Sequence, residues 1–400
     1  MADCCQGFSR SQALRRAAAA TAGRGLPAIE PGMPVPAGTG LSRRSLLLRT
    51  AGLGLSVYGA SHLRLPGLEE GVAQAAAGPA APILVSVFMP GGADSMSVLA
   101  PVGDPRYAAL RPTLALPASS GTPFAEDPTL HWHPAAAPLA TLHAEGKVSA
   151  LPAVGYDHPD QSHFTSRHYW EVGELSVTNR LGWMGRYLDA VGSPDNPLQG
   201  LSLDDNLSPA LATSRVAVAA APSPKDYDLW AKGVWDPIAP AMRDSLGRMG
   251  RLPASDSAMT QARRAAANAQ QLSSSLGSLG DVKPAVSYPT GDGLPAQLSA
   301  LAAMISAGLP MRCVTVNAAG GFDTHANQAA SLPADLGRTC QSLLAFQRDL
   351  EARGVAGRVL VLLWSEFGRR PQENGSGTDH GAAGCAFVIG TRAKGQMVGE

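Results

Sequence analysis

Two short motifs place an acidic residue and a histidine close together in the sequence. Asp323 and His325 are separated by a single residue, and Asp379 is followed directly by His380. Carboxylate oxygens and imidazole nitrogens are ligands for Zn, Mn, Fe and similar divalent ions. Each motif alone is equally compatible with a hydrogen-bonded loop, so the metal interpretation depends on whether the fold brings the motifs together.

Two further acidic residues are candidate metal ligands. Asp94 follows a Pro-Gly-Gly turn, and Glu366 follows an apolar run that ends at Trp364. A structural role is the alternative for each residue. Asp94 could cap a turn or a helix, and Glu366 could pair with Arg369 or Arg370.

The polar segment 158–168 contains a candidate nucleophile. It reads HPDQSHFTSRH and precedes a helical pattern, so Ser162 is predicted near a helix N-terminus. The positive end of a helix dipole favours an anion there, with His163 or Arg167 holding that anion and Ser162 attacking. Helix capping is the alternative role of Ser162, and Ser95 is a competing nucleophile. The sequence has no G-x-S-x-G elbow, which argues against an α/β-hydrolase.

Apolar runs and helical patterns alternate along the chain and must position these residues. Continuous apolar runs predict buried strands at 82–89, 147–154, 215–220, 311–317, 358–364 and 385–389. Helical spacing occurs at 134–146, 161–173, 180–191, 294–308 and 333–353. This alternation predicts a doubly wound α/β fold, with a mostly parallel sheet flanked by helices. Ligands bind such sheets outside the carboxyl ends of the strands, where the candidate residues lie.

Two other features complete the expected architecture. The segment 240–280 is rich in Ala, Ser, Gln and Arg, and we expect an exposed helical insertion or cap there. The body cysteines Cys313, Cys340 and Cys385 lack metal-ligand spacing. We expect them to be buried free thiols, with one disulfide as the alternative.

The N-terminal region is predicted to be an export leader. Residues 1–80 hold eight Arg, no Lys and four acidic residues, a net charge of +4 that offsets −4 in the rest of the chain. The run Ser-Arg-Arg-Ser-Leu-Leu-Leu at 42–48 resembles a twin-arginine signal, and small residues at 73–77 suit cleavage. We therefore expect a disordered leader over 1–77 and a single domain over 78–400. The mature protein is expected in the periplasm or outside the cell, without a transmembrane span.

Composition excludes some classes of function. Hydrophobic residues make up 45% of the 400 residues and charged residues 16%, which is typical of a globular protein. A formal net charge of zero argues against a nucleic-acid binder. Five cysteines in this length exclude a scaffold built on disulfides.

Several motifs in order resemble those of the domain-of-unknown-function 1501 family. They are the twin-arginine leader, LVSVFMPGGAD, HPDQSHFTSRHYWE, GGFDTH, LLWSEFGRR and NGSGTDHGAAG. The family is grouped with the alkaline phosphatase and sulfatase superfamily, so the resemblance implies an alkaline-phosphatase-like fold. It also implies one or two divalent ions (Zn, Mn, Ca or Fe) that clamp a phosphate or sulfate ester. Family members usually continue beyond the last strand seen here, so we expect a chain truncated at its C-terminus.

The resemblance also implies roles for individual residues. Asp94 looks like the metal ligand of the first strand, and Asp323, His325 and His380 look like ligands of one metal. Ser162 is similar in placement to the nucleophile. The superfamily has an Asp-His pair where this chain has Glu366-Phe367, which would remove a ligand from a second metal site. In the alternative alignment, Asp379-His380 is the displaced pair.

Two hypotheses about function follow. The first is an exported, metal-dependent hydrolase of small or polymer-linked phosphate or sulfate esters, delivered by the twin-arginine export machinery. The second is a non-catalytic binding or envelope-assembly protein with a degenerate metal site on the same fold.

Overall fold

The predicted apolar runs supply six strands of one seven-stranded sheet. The computed structural model describes residues 81–223, 236–277, 279 and 282–399. The expected leader over 1–77 lies outside the described residues. All described residues fall within one compact unit, Gly54–Glu400.

The strands are short, and most of the long ones coincide with predicted runs. In chain order they are β1 Ile83–Phe88, β2 Leu99–Ala100, β3 Thr122–Pro123, β4 His131–Trp132, β5 Val148–Val154, β6 Gly200–Ser202, β7 Ala219–Ala220, β8 Cys313–Asn317, β9 Val359–Trp364, β10 Arg369–Glu373, β11 Thr378–His380 and β12 Gly384–Ile389. The run at 215–220 yields only β7. The strand β6 was not predicted because three residues that include Gly and Ser carry no apolar signal.

The described helices lie between these strands. They are α1 Ser95–Val98, α2 Pro105–Leu110, α3 Ala137–Ala144, α4 His163–Val172, α5 Trp183–Val191, α6 Ala239–Gly250, α7 Ser257–Gly277, α8 Leu294–Ser306 and α9 Gln328–Ala352. Each predicted helical pattern overlaps one of them. The helix α9 begins before the predicted position 333, so Pro333 lies inside the helix rather than in its first turn.

The strands of the main sheet run mostly in one direction, as predicted. Their order is β5-β12-β9-β1-β8-β6-β7. The strand β1 pairs in parallel with both β8 and β9, while β12 is antiparallel to β9 and β5. Six strands therefore end at the same edge, and β12 begins there. The loops after β1, β5, β8 and β9 must meet at that edge.

Alternating side chains of the strands pack on helices at both faces of the sheet. Val85 and Val87 of β1 join the main core cluster with apolar residues of α8 and α9. Leu84, on the opposite face, packs with Met184 and Leu188 of α5. This double layering confirms the predicted fold class, a mostly parallel sheet flanked by helices.

The insertion near 240–280 is helical, as predicted, but it is not wholly exposed. The helices α6 and α7 pack on each other. One face of α7 joins the main core through Leu272 and Leu276, which are fully buried. The sequence lacked an obvious stripe because much of the buried face is Ala and Asn, as at Ala269 and Asn268.

Two smaller expectations concern the cysteines and the membrane. Cys313, Cys340 and Cys385 are buried free thiols, as expected, and burial raises the pKa of the Cys313 and Cys385 thiols to about 12. No helix in the described part of the chain is both long enough and apolar enough to cross a membrane.

Candidate metal centre

Three side chains from separate loops converge at the carboxyl edge of the sheet. His163 starts α4, Asp323 follows β8, and His380 ends β11. One ligand atom from each lies within 4.8 Å of the others. Two of the three were predicted as metal ligands, whereas His163 was predicted to hold an anion.

A hydrogen bond to Glu366 fixes the orientation of His163. The His163 Nδ1 atom lies 2.8 Å from Glu366 Oε1. An ionised carboxylate only accepts hydrogen bonds, so in the neutral imidazole Nδ1 carries the proton and Nε2 keeps a lone pair. That Nε2 atom is buried and has no hydrogen-bond partner among the described residues. An unpartnered basic nitrogen beside a carboxylate is suited to a cation.

His380 is held in the same way by a backbone carbonyl. Its Nδ1 atom lies 2.9 Å from the Gln161 carbonyl oxygen, which can only accept. The lone pair of neutral His380 is therefore on Nε2, which lies 3.3 Å from Asp323 Oδ1. Two imidazoles thus direct Nε2 lone pairs toward one carboxylate, with outer partners of the kind that orient metal-ligating histidines.

His325 and Asp379 extend this group. His325 Nε2 lies 2.9 Å from His380 Nε2 and 3.1 Å from Asp323 Oδ1. Two imidazole nitrogens this close need a proton or a cation between them, because facing lone pairs repel. His325 Nδ1 lies 3.5 Å from Asp379 Oδ1. A hydrogen bond from Asn374 lowers the pKa of the exposed Asp379 carboxyl.

Buried Arg369 ties the loops of the centre together. It donates hydrogen bonds to Asp323 Oδ1, to the Gly91 and Gly92 carbonyls after β1, and to the Thr378 carbonyl of β11. Desolvation alone would raise the pKa of Asp323. The hydrogen bond and the positive charge of Arg369 counter that effect, and the pKa of Asp323 is lowered, which keeps the carboxylate charged.

Glu366 lies beneath the centre rather than in it. It is almost fully buried, and it accepts hydrogen bonds from His163, the Gly91 backbone N–H and the Ser365 hydroxyl. It pairs with neither of the arginines suggested by the sequence. The adjacent Phe367 is fully buried and packs against the rings of His163 and His380, at centroid distances of 5.0 and 4.7 Å.

Glycine at position 91 permits this close approach of loops. Its φ is +114°, a conformation that disfavours side chains, and a Cβ atom there would lie 2.3 Å from the Asp323 backbone nitrogen. The Gly-Gly turn after β1 therefore allows the Asp323 loop to pack directly on it.

The structure places Asp94 in a separate, fully paired centre. Its carboxylate is fully buried and forms a bidentate pair with Arg111, at 2.5 and 2.9 Å. The Ser97 hydroxyl and the Gln328 amide donate to the same oxygen, Oδ2, at 2.6 and 2.5 Å. These donors occupy the carboxylate, and Asp94 is not part of the group of candidate ligands.

Ser162 and Arg167 have partners in the structure. Ser162 is the N-cap residue of α4, and its hydroxyl accepts a 3.4 Å hydrogen bond from the Thr165 backbone N–H. Arg167 Nε donates to Glu171 at 3.0 Å, and its guanidinium lies 4.5 Å from the centre of the Phe88 ring. Ser162 thus has the capping role that the sequence offered as its alternative.

A large pocket opens beside the centre on the α4 face of the sheet. Its volume is about 750 Å³, and its lining includes His163, Asp323 and Arg167. None of its lining residues comes from α6 or α7. The described helices of the insertion therefore do not line this pocket.

Several contacts that build the metal centre and the separate Asp94 centre were not predicted from the sequence. The Gln161 carbonyl, Arg369, Arg111 and Gln328 make contacts between distant segments that no local spacing encodes. His158 and Gln161 have positive φ values of 53° and 59°. Such backbone is uncommon for residues other than glycine, and it is a structural sign of a constrained loop.

Comparisons with known proteins give a family match and weak likenesses to solved structures. Residues 150–400 match the family model described as a protein of unknown function, DUF1501. No curated protein matches the sequence. A solved structure of a TAB5 alkaline phosphatase mutant with bound Mg is 11% identical, with 79% of this chain and 93% of that chain covered. Its TM-score is 0.33, which is too low to support any argument about this chain.

Proposed function

We propose that this chain, which belongs to the DUF1501 family, is a metal-dependent hydrolase of phosphate or sulfate esters. One observation carries the proposal. Two imidazole Nε2 atoms, one of them buried and without a hydrogen-bond partner among the described residues, converge with a charged carboxylate beside a pocket of about 750 Å³. The arginine pair and apolar run of residues 42–60 support the further proposal that the protein is exported by the twin-arginine route.

The donor set indicates which ion the centre would hold. His163, Asp323 and His380 would be its ligands, with His325 adjacent. Imidazole nitrogens suit Zn, Fe or Mn, whereas Ca²⁺ prefers oxygen ligands alone. Of the four ions that the family resemblance implies, the donors therefore favour Zn, Mn or Fe. A divalent ion bound there would act as a Lewis acid that polarises an ester oxygen.

The chain's own residues orient the ligands and bind the anion. Glu366 and the Gln161 carbonyl hold the two imidazoles with Nε2 facing inward, and Arg369 keeps Asp323 in place. Arg167 lies in the pocket wall, with only its Nε bonded to a described carboxylate. Its terminal Nη groups are suited to the anionic oxygens of a phosphate or sulfate.

The identity of the nucleophile is a separate question from metal binding at the centre. Ser162 is the predicted nucleophile, and within the described part of the chain its hydroxyl makes two long hydrogen bonds of 3.4 Å, both with Thr165. It follows Gln161, the residue whose carbonyl holds His380. Attack by Ser162 stays a prediction, and a water molecule is the alternative nucleophile.

A non-catalytic binding protein is the second candidate, and two observations favour it. Asp94 is occupied by Arg111, so a second metal ion would lack this ligand. Ser162 caps α4, which accounts for its presence without catalysis. A protein of this kind would bind a metal and a ligand but would not turn over an ester.

Activity assays on reconstituted protein separate the two candidates. The full chain is stripped with a chelator, reloaded with Zn²⁺, Mn²⁺ or Fe²⁺, and assayed with p-nitrophenyl phosphate, bis-p-nitrophenyl phosphate and p-nitrophenyl sulfate. We expect turnover that depends on added metal and that His163→Ala abolishes. His131→Ala is the control, because His131 bonds the Ser120 carbonyl in the small β2-β4-β3 sheet. Bound metal without turnover of any ester would favour the binding protein.

A further inference from the structure

Three hydroxyl-bearing residues form a row across the floor of the pocket. Ser86 of β1 is the register partner of Thr315 in β8, and Thr315 is the partner of Ser202 in β6. All three are buried, and all three line the pocket. None of the three has a role predicted from the sequence.

Two of the three hydroxyls have protein partners. Ser86 Oγ accepts a 2.8 Å hydrogen bond from Trp364 Nε1. Ser202 Oγ donates to the Asn206 carbonyl at 2.9 Å and accepts from the Ser208 backbone N–H at 3.2 Å. These two serines are therefore accounted for by the packing of the loops and the sheet.

Thr315 differs from its two neighbours. Its Oγ1 atom is buried and has no hydrogen-bond partner within the part of the chain that the structure describes. Buried polar groups are nearly always bonded, so an exception requires an explanation. The neighbouring residues of β8, Val314 and Val316, are apolar. Valine at 315 would have nearly the same shape as threonine without the unpartnered oxygen, so packing alone does not explain the hydroxyl.

The charges around this floor disfavour binding of a ligand that carries a second anionic group. Arg167 is paired with Glu171, and Asp204 accepts a 2.9 Å hydrogen bond from Asn317. These four residues line the pocket and contribute one cation and two carboxylates. The remaining lining nearby is neutral and polar or apolar, including Asn206, Ser208 and Phe88.

We infer that the pocket floor binds the neutral, hydroxyl-bearing organic part of the ester, a sugar or polyol, through a hydrogen bond with Thr315. This inference rests on the proposed function, because it assumes that the ester's anionic group lies at the His163 and Asp323 end. A volume of about 750 Å³ accommodates a group of this size. Hydroxyl and amide side chains at the floor match the donors and acceptors of a polyol.

Binding of free sugars to metal-free protein tests the floor without catalysis. The probes are glucose, galactose and mannose, measured by saturation-transfer NMR and equilibrium dialysis on wild type, Thr315→Val and Thr315→Ser. We expect wild type and Thr315→Ser to bind at least one hexose. Thr315→Val should bind it about tenfold more weakly, as expected for the loss of one hydrogen bond. Thermal unfolding checks that each variant is folded, and Thr315→Ser retains the hydroxyl if the valine variant does not fold.

Kinetics on the metal-loaded enzyme separate this inference from the proposed function. Thr315→Val should raise KM for a hexose phosphate about tenfold, and it should change KM for p-nitrophenyl phosphate, whose aryl ring carries no hydroxyl, by a smaller factor. Hexose binding without any metal-dependent turnover would keep the floor assignment and remove the hydrolase. Turnover with equal hexose binding by wild type and Thr315→Val, or hexose binding by neither, would overturn the floor assignment alone.

Discussion

Two carboxylates at the same edge of the sheet have opposite environments. Asp94 is fully buried, and Arg111, Ser97 and Gln328 donate to its oxygens. The Asp323 side chain is 49% exposed, and its oxygens face Arg369 and the Nε2 atoms of histidines. Both residues follow parallel strands, and both were predicted as metal ligands.

The difference shows that the partners of a carboxylate, rather than its position after a strand, decide its role. Arg111 supplies a positive charge and a planar pair of donors, so the Asp94 carboxylate is neutralised and hydrogen-bonded without a metal ion. Asp323 instead faces imidazoles whose protons are held on their far side by Glu366 and the Gln161 carbonyl. Hydrogen-bond donors stabilise the first centre, whereas lone pairs accumulate in the second.

Removing the cation from the Asp94 centre should have the largest effect on stability. Arg111→Met leaves a buried carboxylate without its charge partner, and we expect the free energy of unfolding to fall by about 3–5 kcal/mol. Chemical denaturation measures the change. Arg106→Met is the control, since the solvent-exposed Arg106–Asp104 pair should contribute little to stability. If the two variants lost equal stability, the claim that Arg111 stabilises the Asp94 centre as a buried charge partner would be wrong.

Weakening the support of His163 should reduce metal affinity without unfolding the protein. Glu366→Gln removes the charge that orients the imidazole, and we expect metal affinity to fall about 10–100-fold. Calorimetric titration with Zn²⁺ measures it. Asp379→Asn is the matched comparison, with a smaller fall, because its 3.5 Å contact with His325 is long and exposed. If metal affinity fell more in Asp379→Asn than in Glu366→Gln, the contact of Asp379 with His325 would support the centre more than that of Glu366 with His163.

The role of Ser162 can be divided into capping and catalysis. Ser162→Ala should lower the free energy of unfolding by about 0.5–2 kcal/mol, as expected for a lost N-cap. Ser162→Asn keeps a capping side chain and should restore most of that stability. Turnover by Ser162→Asn in the ester assays would show that Ser162 is not the nucleophile.

A change in a surface ion network should have the smallest effect on the free energy of unfolding. Hydrogen bonds from Arg348 and Lys147 lower the pKa of Glu145 from 4.5 to about 2. The depressed pKa stabilises the folded state above pH 4.5, and this contribution disappears as pH falls towards 2. The stability difference between wild type and Glu145→Gln should therefore be constant at neutral pH and shrink through that window. At this partly exposed site we expect it to stay below about 1 kcal/mol. Denaturation curves that differ equally at pH 7 and pH 2.5 would contradict this assignment.

The sequence predicted the layers of the fold better than the details of the site. Long apolar runs such as 82–89 and 358–364 mark buried strands directly, because burial on both faces requires continuous apolar residues. Three-residue β6 carries no such pattern, and the antiparallel direction of β12 depends on pairing that no local pattern encodes. The sequence located the edge at which the loops meet, since parallel strands end together.

Within the site, the sequence indicated residue types but not their partners. Asp323, His325 and His380 were predicted from their chemistry and lie together. Asp94 and Arg111 are 17 positions apart on either side of two short helices, and their pairing follows only from the three-dimensional packing. The outer hydrogen bonds of His163 and His380 connect positions 203 and 219 residues apart.

Metal binding by the His163, Asp323 and His380 group tests the central claim most directly. Chelator-treated full chain is titrated with Zn²⁺ or Mn²⁺ by calorimetry, and bound metal is then counted by mass spectrometry after dialysis. Wild type should bind a divalent ion at this centre, His163→Ala with His380→Ala should lose it, and Asp94→Asn should retain it. Absence of binding by wild type, or unchanged binding by the double histidine variant, would contradict the account.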